Sequence, residues 1–123
     1  MPAEGTPKVL AVLDDLFFTV KINESAKRAG VPVQFVKSEK DALDQAAQNP
    51  ALIIIDLNCI ALDPLRLIRG LKSNEELKKI SLLGYVSHVQ GERKLEAQRA
   101  GCDRVLARSA FSQNLDQILK RLK

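Results

Sequence analysis

Short apolar runs alternate with stretches of helical spacing along this chain, and three of the runs stop at an acidic or hydroxyl residue. The sharpest run is Ala51-Leu52-Ile53-Ile54-Ile55, which ends at Asp56. Val9-Leu10-Ala11-Val12-Leu13 ends likewise at Asp14-Asp15. A continuous apolar run of this length reads as a strand buried on both faces, and such strands belong to parallel sheets. Val31-Pro32-Val33-Gln34-Phe35-Val36, Ile80 to Val86, and Arg104-Val105-Leu106-Ala107 supply the remaining strands. Pro32 marks its strand as an edge, and Gly84 interrupts the fourth.

Helices fill the intervals. Residues 16 to 29 read as a helix with an aspartate cap (Asp14 or Asp15) and a stop at Gly30. Ser38-Glu39-Lys40-Asp41 resembles a capping box, opening a helix that carries Ala42, Leu43, Ala46 and Ala47 and ends before Pro50. Asp63-Pro64 places a cap ahead of a proline at the first helical position, and Leu65, Ile68 and Leu71 share one face beyond it. Glu92 to Ala100 precedes a stop at Gly101, and Ser112 is the expected cap of a last helix bearing Leu115, Ile118, Leu119 and Leu122.

Strand then helix, repeated to the end of the chain, predicts a doubly wound α/β fold with helices on both faces. Right-handed crossovers leave few topologies. The most apolar strands, the first and third, belong in the centre, so the expected order is the flavodoxin-like 2-1-3-4-5. A length of 123 residues suits one domain. Residues 1 to 7 read as a disordered segment by their Pro, Gly and polar content, and the domain runs from residue 8 to 123.

Composition excludes several classes. A hydrophobic content of 46% is too high for a disordered chain. No apolar run is long enough to span a membrane, and the N-terminus lacks the apolar stretch of a signal peptide, so a cytoplasmic location is expected. The net charge of +4 comes from scattered basic residues, so direct nucleic-acid binding is not expected. Cys59 and Cys102 lack CxxC spacing and read as reduced, semi-buried thiols. With one histidine, His88, they make no zinc set. GxGxxG and GxxxxGK[ST] are absent, which removes the usual dinucleotide and P-loop sites.

In an open α/β sheet of this order, ligands bind outside the carboxyl ends of the strands, near the switch point between strands 1 and 3. That end would gather Asp14 and Asp15, Asp56, Ser87 and His88, and Arg108 and Ser109. An aspartate after a strand is often only a helix cap, and Asp63 reads most simply as one. Asp56 differs, because no helix follows it directly. Clustered carboxylates repel unless a cation joins them, and hard oxygen donors favour magnesium. A carboxylate can also attack phosphorus, with a fixed cation and a hydroxyl to stabilise the transferred group. His88 reads as a loop histidine rather than a base.

The runs ending in Asp14-Asp15 and in Asp56-Leu57-Asn58, with Val86-Ser87-His88 and Ala100 to Arg108, resemble the receiver domain of bacterial two-component response regulators. The resemblance covers Lys8 to Leu122. It implies a signalling module rather than an enzyme, with Asp56 taking a phosphoryl group from a histidine kinase or phosphotransfer protein and a downstream effector reading the result. It implies magnesium held by Asp14, Asp15, Asp56 and the carbonyl of Asn58, with Ser87 and Arg108 at the phosphoryl group. Output is then expected from a separate partner or a larger parent chain.

Several positions depart from the family pattern. Counting back from Gly30, Asp14 matches the second acid of the family's pair and Leu13 the first; were strand 1 one residue longer, Asp14-Asp15 would be the pair. Arg108 stands where the family has lysine, Ser109 where proline usually follows, and Ile60 where the loop commonly has proline. Asp63-Pro64 replaces the family's usual Asp-Gly. Val105 stands at the aromatic switch position. Leu13, Val105, Arg108 and Ser109 favour an alternative function, a degenerate receiver that binds partners independently of phosphorylation, whereas Asp56, Asn58 and Ser87 favour the phosphoacceptor.

Overall fold

A computed structural model describes residues 8–87 and 91–122. The first seven residues, expected to be disordered, and His88, read as a loop residue, lie outside the described residues. The elements alternate throughout: β1 Val9–Val12, α1 Leu16–Ala29, β2 Val33–Val36, α2 Glu39–Ala46, β3 Leu52–Asp56, α3 Pro64–Ser73, β4 Ser81–Val86, α4 Gly91–Ala100, β5 Arg104–Ala107 and α5 Arg108–Lys120. All pairings are parallel, in the order β2-β1-β3-β4-β5. The expected flavodoxin-like topology is the one observed, with β2 at an edge and Pro32 just before it.

The sheet separates two cores. Val9, Ala11, Leu13, Ile54, Leu83 and Tyr85 face α1 and α5, where Phe18, Ile22, Phe111, Leu115 and Leu119 meet them. Leu10, Val12, Ile53, Ile55 and Leu82 face α2, α3 and α4 through Ala42, Ala46, Leu65, Ile68, Leu71 and Ala97. This period-two partition is why β1 and β3 read as unbroken apolar runs: each alternate residue has a core to enter. Each large side chain removed from water contributes roughly 1.5–3 kcal/mol.

Local signals explain most boundaries. Ser38 Oγ accepts the Asp41 N–H at 3.1 Å, and Asp63 Oδ1 accepts the N–H groups of Leu65 and Arg66 at 3.1 and 3.2 Å. Gly30 takes the left-handed conformation (φ 71°), and the following Val31 N–H closes onto Ala26 O at 3.0 Å.

Two expectations fail. Ser112 does not cap the last helix. α5 starts five residues earlier, directly after β5, with Ala107 at the cap position and no side-chain cap bond. The hydrophobic face runs back to Phe111, which is fully buried, and this tertiary anchor outweighs the missing cap. Gly84 does not interrupt β4 either. It allows Leu57 to pack against the strand, since a Cβ there would lie 3.0 Å from Leu57 Cδ1.

Candidate functional site

The carboxyl ends of β1, β3, β4 and β5 bring the candidate residues to one end of the sheet. Asp56 is the last residue of β3 and is only 4% exposed, one of two buried polar residues among the described residues. Strand β3 places it there by the same alternation that sends Leu52 and Ile54 into the α1/α5 core. Its neighbour across the ladder is Tyr85.

One oxygen of Asp56, Oδ1, accepts the backbone N–H of Asn58 at 2.9 Å. That two-residue turn folds the chain back over the strand end. Asn58 Oδ1 in turn accepts the Ser87 N–H at 2.7 Å, tying the loop after β3 to the loop after β4. Burial pushes the Asp56 carboxyl above its ordinary pKa, and the negative charges of Asp15 and Asp14 push the same way; the Asn58 N–H and the Arg108 guanidinium oppose them. Asp56 is therefore a desolvated carboxyl group within the field of the Arg108 cation.

The two aspartates after β1 divide. β1 ends at Val12, and Leu13 is buried, 2% exposed, with its N–H on Val36 O at 3.2 Å. Asp15 caps α1, its Oδ1 accepting the Phe17 N–H at 2.9 Å. Asp14 is exposed, and the Cys59 thiol approaches its Oδ1 at 3.7 Å. Burial raises the Cys59 pKa, so this thiol is a neutral donor rather than a thiolate nucleophile. Both cysteines are free and buried, more deeply than their sequence context suggested.

Ser87, partly exposed, and Arg108, the first residue of α5, line a cleft with Asp15, Phe17, Phe18, Ser109 and Ser112. The Arg108 guanidinium lies over the Phe18 ring, 5.4 Å from its centroid, and its Nε is buried with no partner among the described residues. A cation at a helix N-terminus opposes the macrodipole. α5 has no acidic residue in its first turn to offset it.

The donor set can be tested against magnesium. Among the described residues no group of three or more His, Cys, Asp or Glu side chains is arranged around a common metal position. Magnesium does not need one, since it retains several waters and takes one or two carboxylates. Asp14, Asp56 and the Asn58 carbonyl are hard oxygen donors of that kind, and the fit is to a sparse two-carboxylate site.

Sequence reading left three features unseen. Cys59 reaches Asp14 from 45 residues away. Asn58 acts through its side chain as well as its backbone. Tyr85 is fully buried, stacked on Phe111 with centroids 4.6 Å apart and 5° between planes, and packed against Phe18 at 5.1 Å. Its hydroxyl has no partner among the described residues. A strand tyrosine ordinarily predicts only a half-buried face, so nothing local signalled this.

Among the described residues no helix is long and apolar enough to cross a membrane. No protein-family model matches the sequence, and no curated protein sequence matches it. Solved structures do match. The chemotaxis response regulator CheY4 of Vibrio cholerae superposes with a TM-score of 0.80 at 22% identity, covering 96% of this chain and 99% of that one. The phosphorylated cyanobacterial phytochrome response regulator RcpA gives 0.78 at 24% identity, covering 94% and 90%. The receiver domain of the sensor histidine kinase PA1611 from Pseudomonas aeruginosa, with magnesium coordinated in its active-site cleft, gives 0.79 at 22% identity, covering 94% and 96%. This chain has the fold of the response-regulator receiver domains.

Proposed function

We propose that this chain is a phosphoacceptor receiver module of two-component signalling. The observation that carries the reading is Asp56: a buried carboxyl group at the switch point, ordered by the Asn58 N–H. Because Oδ1 is engaged by the Asn58 N–H, Oδ2 is the oxygen left to attack. The bond formed joins Oδ2 to phosphorus. The bond broken joins phosphorus to an imidazole nitrogen of a phosphohistidine on a histidine kinase or phosphotransfer protein, and that nitrogen leaves with the electron pair.

Arg108 offsets the negative charge of the transferred group, and the Ser87 hydroxyl donates to one of its oxygens. Asp14, Asp56 and the Asn58 carbonyl hold magnesium in this reading, with Asp15 remaining on the α1 cap. When bound, the metal supplies charge neutralisation at the phosphoryl oxygens. The site works in the cytoplasm, and a downstream effector protein reads the phosphorylated state.

Two observations favour a second reading, a degenerate receiver that binds partners whatever its phosphorylation state. Leu13 fills the first acid position with buried apolar volume, and Arg108 rests on Phe18. Intact mass after incubation with magnesium and a small-molecule phosphodonor separates the two. One phosphoryl adduct on the wild type and none on Asp56→Asn is the expected result; no adduct on either favours the interaction module.

A further inference from the structure

The position that resembles the family's aromatic switch holds Val105, which packs into the core against α2, α3 and α4. The aromatic side chains of this chain lie on the other face. Tyr85, Phe18 and Phe111 form one packed group between β4, α1 and α5, and Phe17 meets Phe18 edge to face at 5.4 Å. Arg108 links that group to the site: its guanidinium rests on Phe18, and it lines one cleft with Ser87 and Asp15. Tyr85 neighbours Asp56 across the ladder.

Two buried donors at this junction, the Tyr85 hydroxyl and Arg108 Nε, lack partners among the described residues. Buried donors are nearly always paired, so this arrangement forgoes hydrogen bonds. A tetrahedral anion on Asp56 offers a planar guanidinium a better partner than a ring face.

We propose that an oxyanion on Asp56 draws Arg108 off Phe18, and that the Tyr85–Phe18–Phe111 group repacks to transmit occupancy to the first turns of α1 and α5. Tyr85 and Phe18 are thus positioning residues acting through Arg108. The inference rests on the acceptor reading of Asp56. It specifies which face of the sheet responds, and it places the response opposite Val105.

The chain has one tyrosine and no tryptophan, so its tyrosine near-ultraviolet circular dichroism reports on Tyr85 alone. The full chain is titrated with beryllofluoride and magnesium, with occupancy read by fluorine NMR and the response by tyrosine dichroism and hydrogen exchange. The expected result is occupancy together with a shifted tyrosine band and altered exchange in Leu16–Val20 and the start of α5. Occupancy with an unmoved tyrosine band, or with exchange changes concentrated in α4 and β5, overturns the relay and leaves the acceptor reading standing. No occupancy in the wild type overturns both.

Phe111→Leu, outside the cleft, is expected to keep the occupancy and lose the α1 exchange response; a retained response overturns the relay. Should that variant fail to fold, the wild-type exchange map decides alone.

Discussion

Replacing Tyr85 with phenylalanine is expected to stabilise this protein. The usual result for a buried tyrosine is the opposite, because its hydroxyl normally holds a hydrogen bond. Here the side chain is fully buried and the hydroxyl has no partner among the described residues. An unsatisfied buried hydroxyl costs about 1–3 kcal/mol. Removing the oxygen forfeits a few dispersion contacts at about 0.1–0.2 kcal/mol each, together less than about 1 kcal/mol. The ring stack with Phe111 and Phe18 is unaffected. The balance is about 1 kcal/mol in favour of the variant, or roughly 3–5 °C in Tm for a domain of this size. Urea unfolding followed by far-ultraviolet circular dichroism measures it, with unchanged m showing that the transition is the same. A loss of about 1 kcal/mol or more would refute the reasoning, because it would mean the hydroxyl is satisfied. The same geometry places the phenol pKa above its ordinary value, chiefly through burial and secondarily through Asp56. A folded-state pKa raised in this way means stability is fully present below the ordinary phenol value and is lost as pH rises through the alkaline range. The phenolate absorbance should therefore appear together with unfolding, not before it.

Asp56→Asn in metal-free buffer should be more stable than the wild type near neutrality. The folded-state pKa of Asp56 is raised above 3.8, so ionisation costs the wild type stability as pH climbs through and beyond that value. The gap should close in acid, and pH-dependent urea midpoints check it. Gly84→Ala should cost about 1 kcal/mol, since overpacking against Leu57 costs about 1–3 and the better strand residue returns about 0.5–1. Adding Leu57→Ala should make the pair non-additive by more than about 0.5 kcal/mol in a double-mutant cycle. Lys72 donates to Lys78 O, Ile80 O and Asp103 Oδ2 at 3.1, 3.2 and 3.1 Å, clasping the loops before β4 and β5. Lys72→Met should lose about 2 kcal/mol in a thermal melt, because carbonyls are left without the charge-assisted bonds they hold.

How much of this was legible in the sequence follows from where the information sits. β1 and β3 announced themselves because a strand with cores on both faces must be apolar at every position. Asp63 and Ser38 were legible because a cap acts on N–H groups two or three residues away. The start of α5 was not, because Phe111 anchors it through contacts with Phe18 and Tyr85 that no local pattern encodes. Ser112 offered a cap-like spacing and lies inside the helix instead. The location of the site followed from strand order, but the division of labour between Asp14 and Asp15 did not. It depends on where β1 stops and on a thiol brought from the loop after β3. The two unpartnered donors were invisible for the same reason, since an orphaned atom is defined by everything around it.

The most direct test of the account is to locate the covalent bond. After incubation with magnesium and a phosphodonor, borohydride reduces an aspartyl phosphate to homoserine, and peptide mapping finds the altered residue. Homoserine at position 56, with Asp14 and Asp15 unchanged, is the expected result. An adduct at any other aspartate, or none while the protein remains folded, would contradict the assignment of Asp56 as the acceptor.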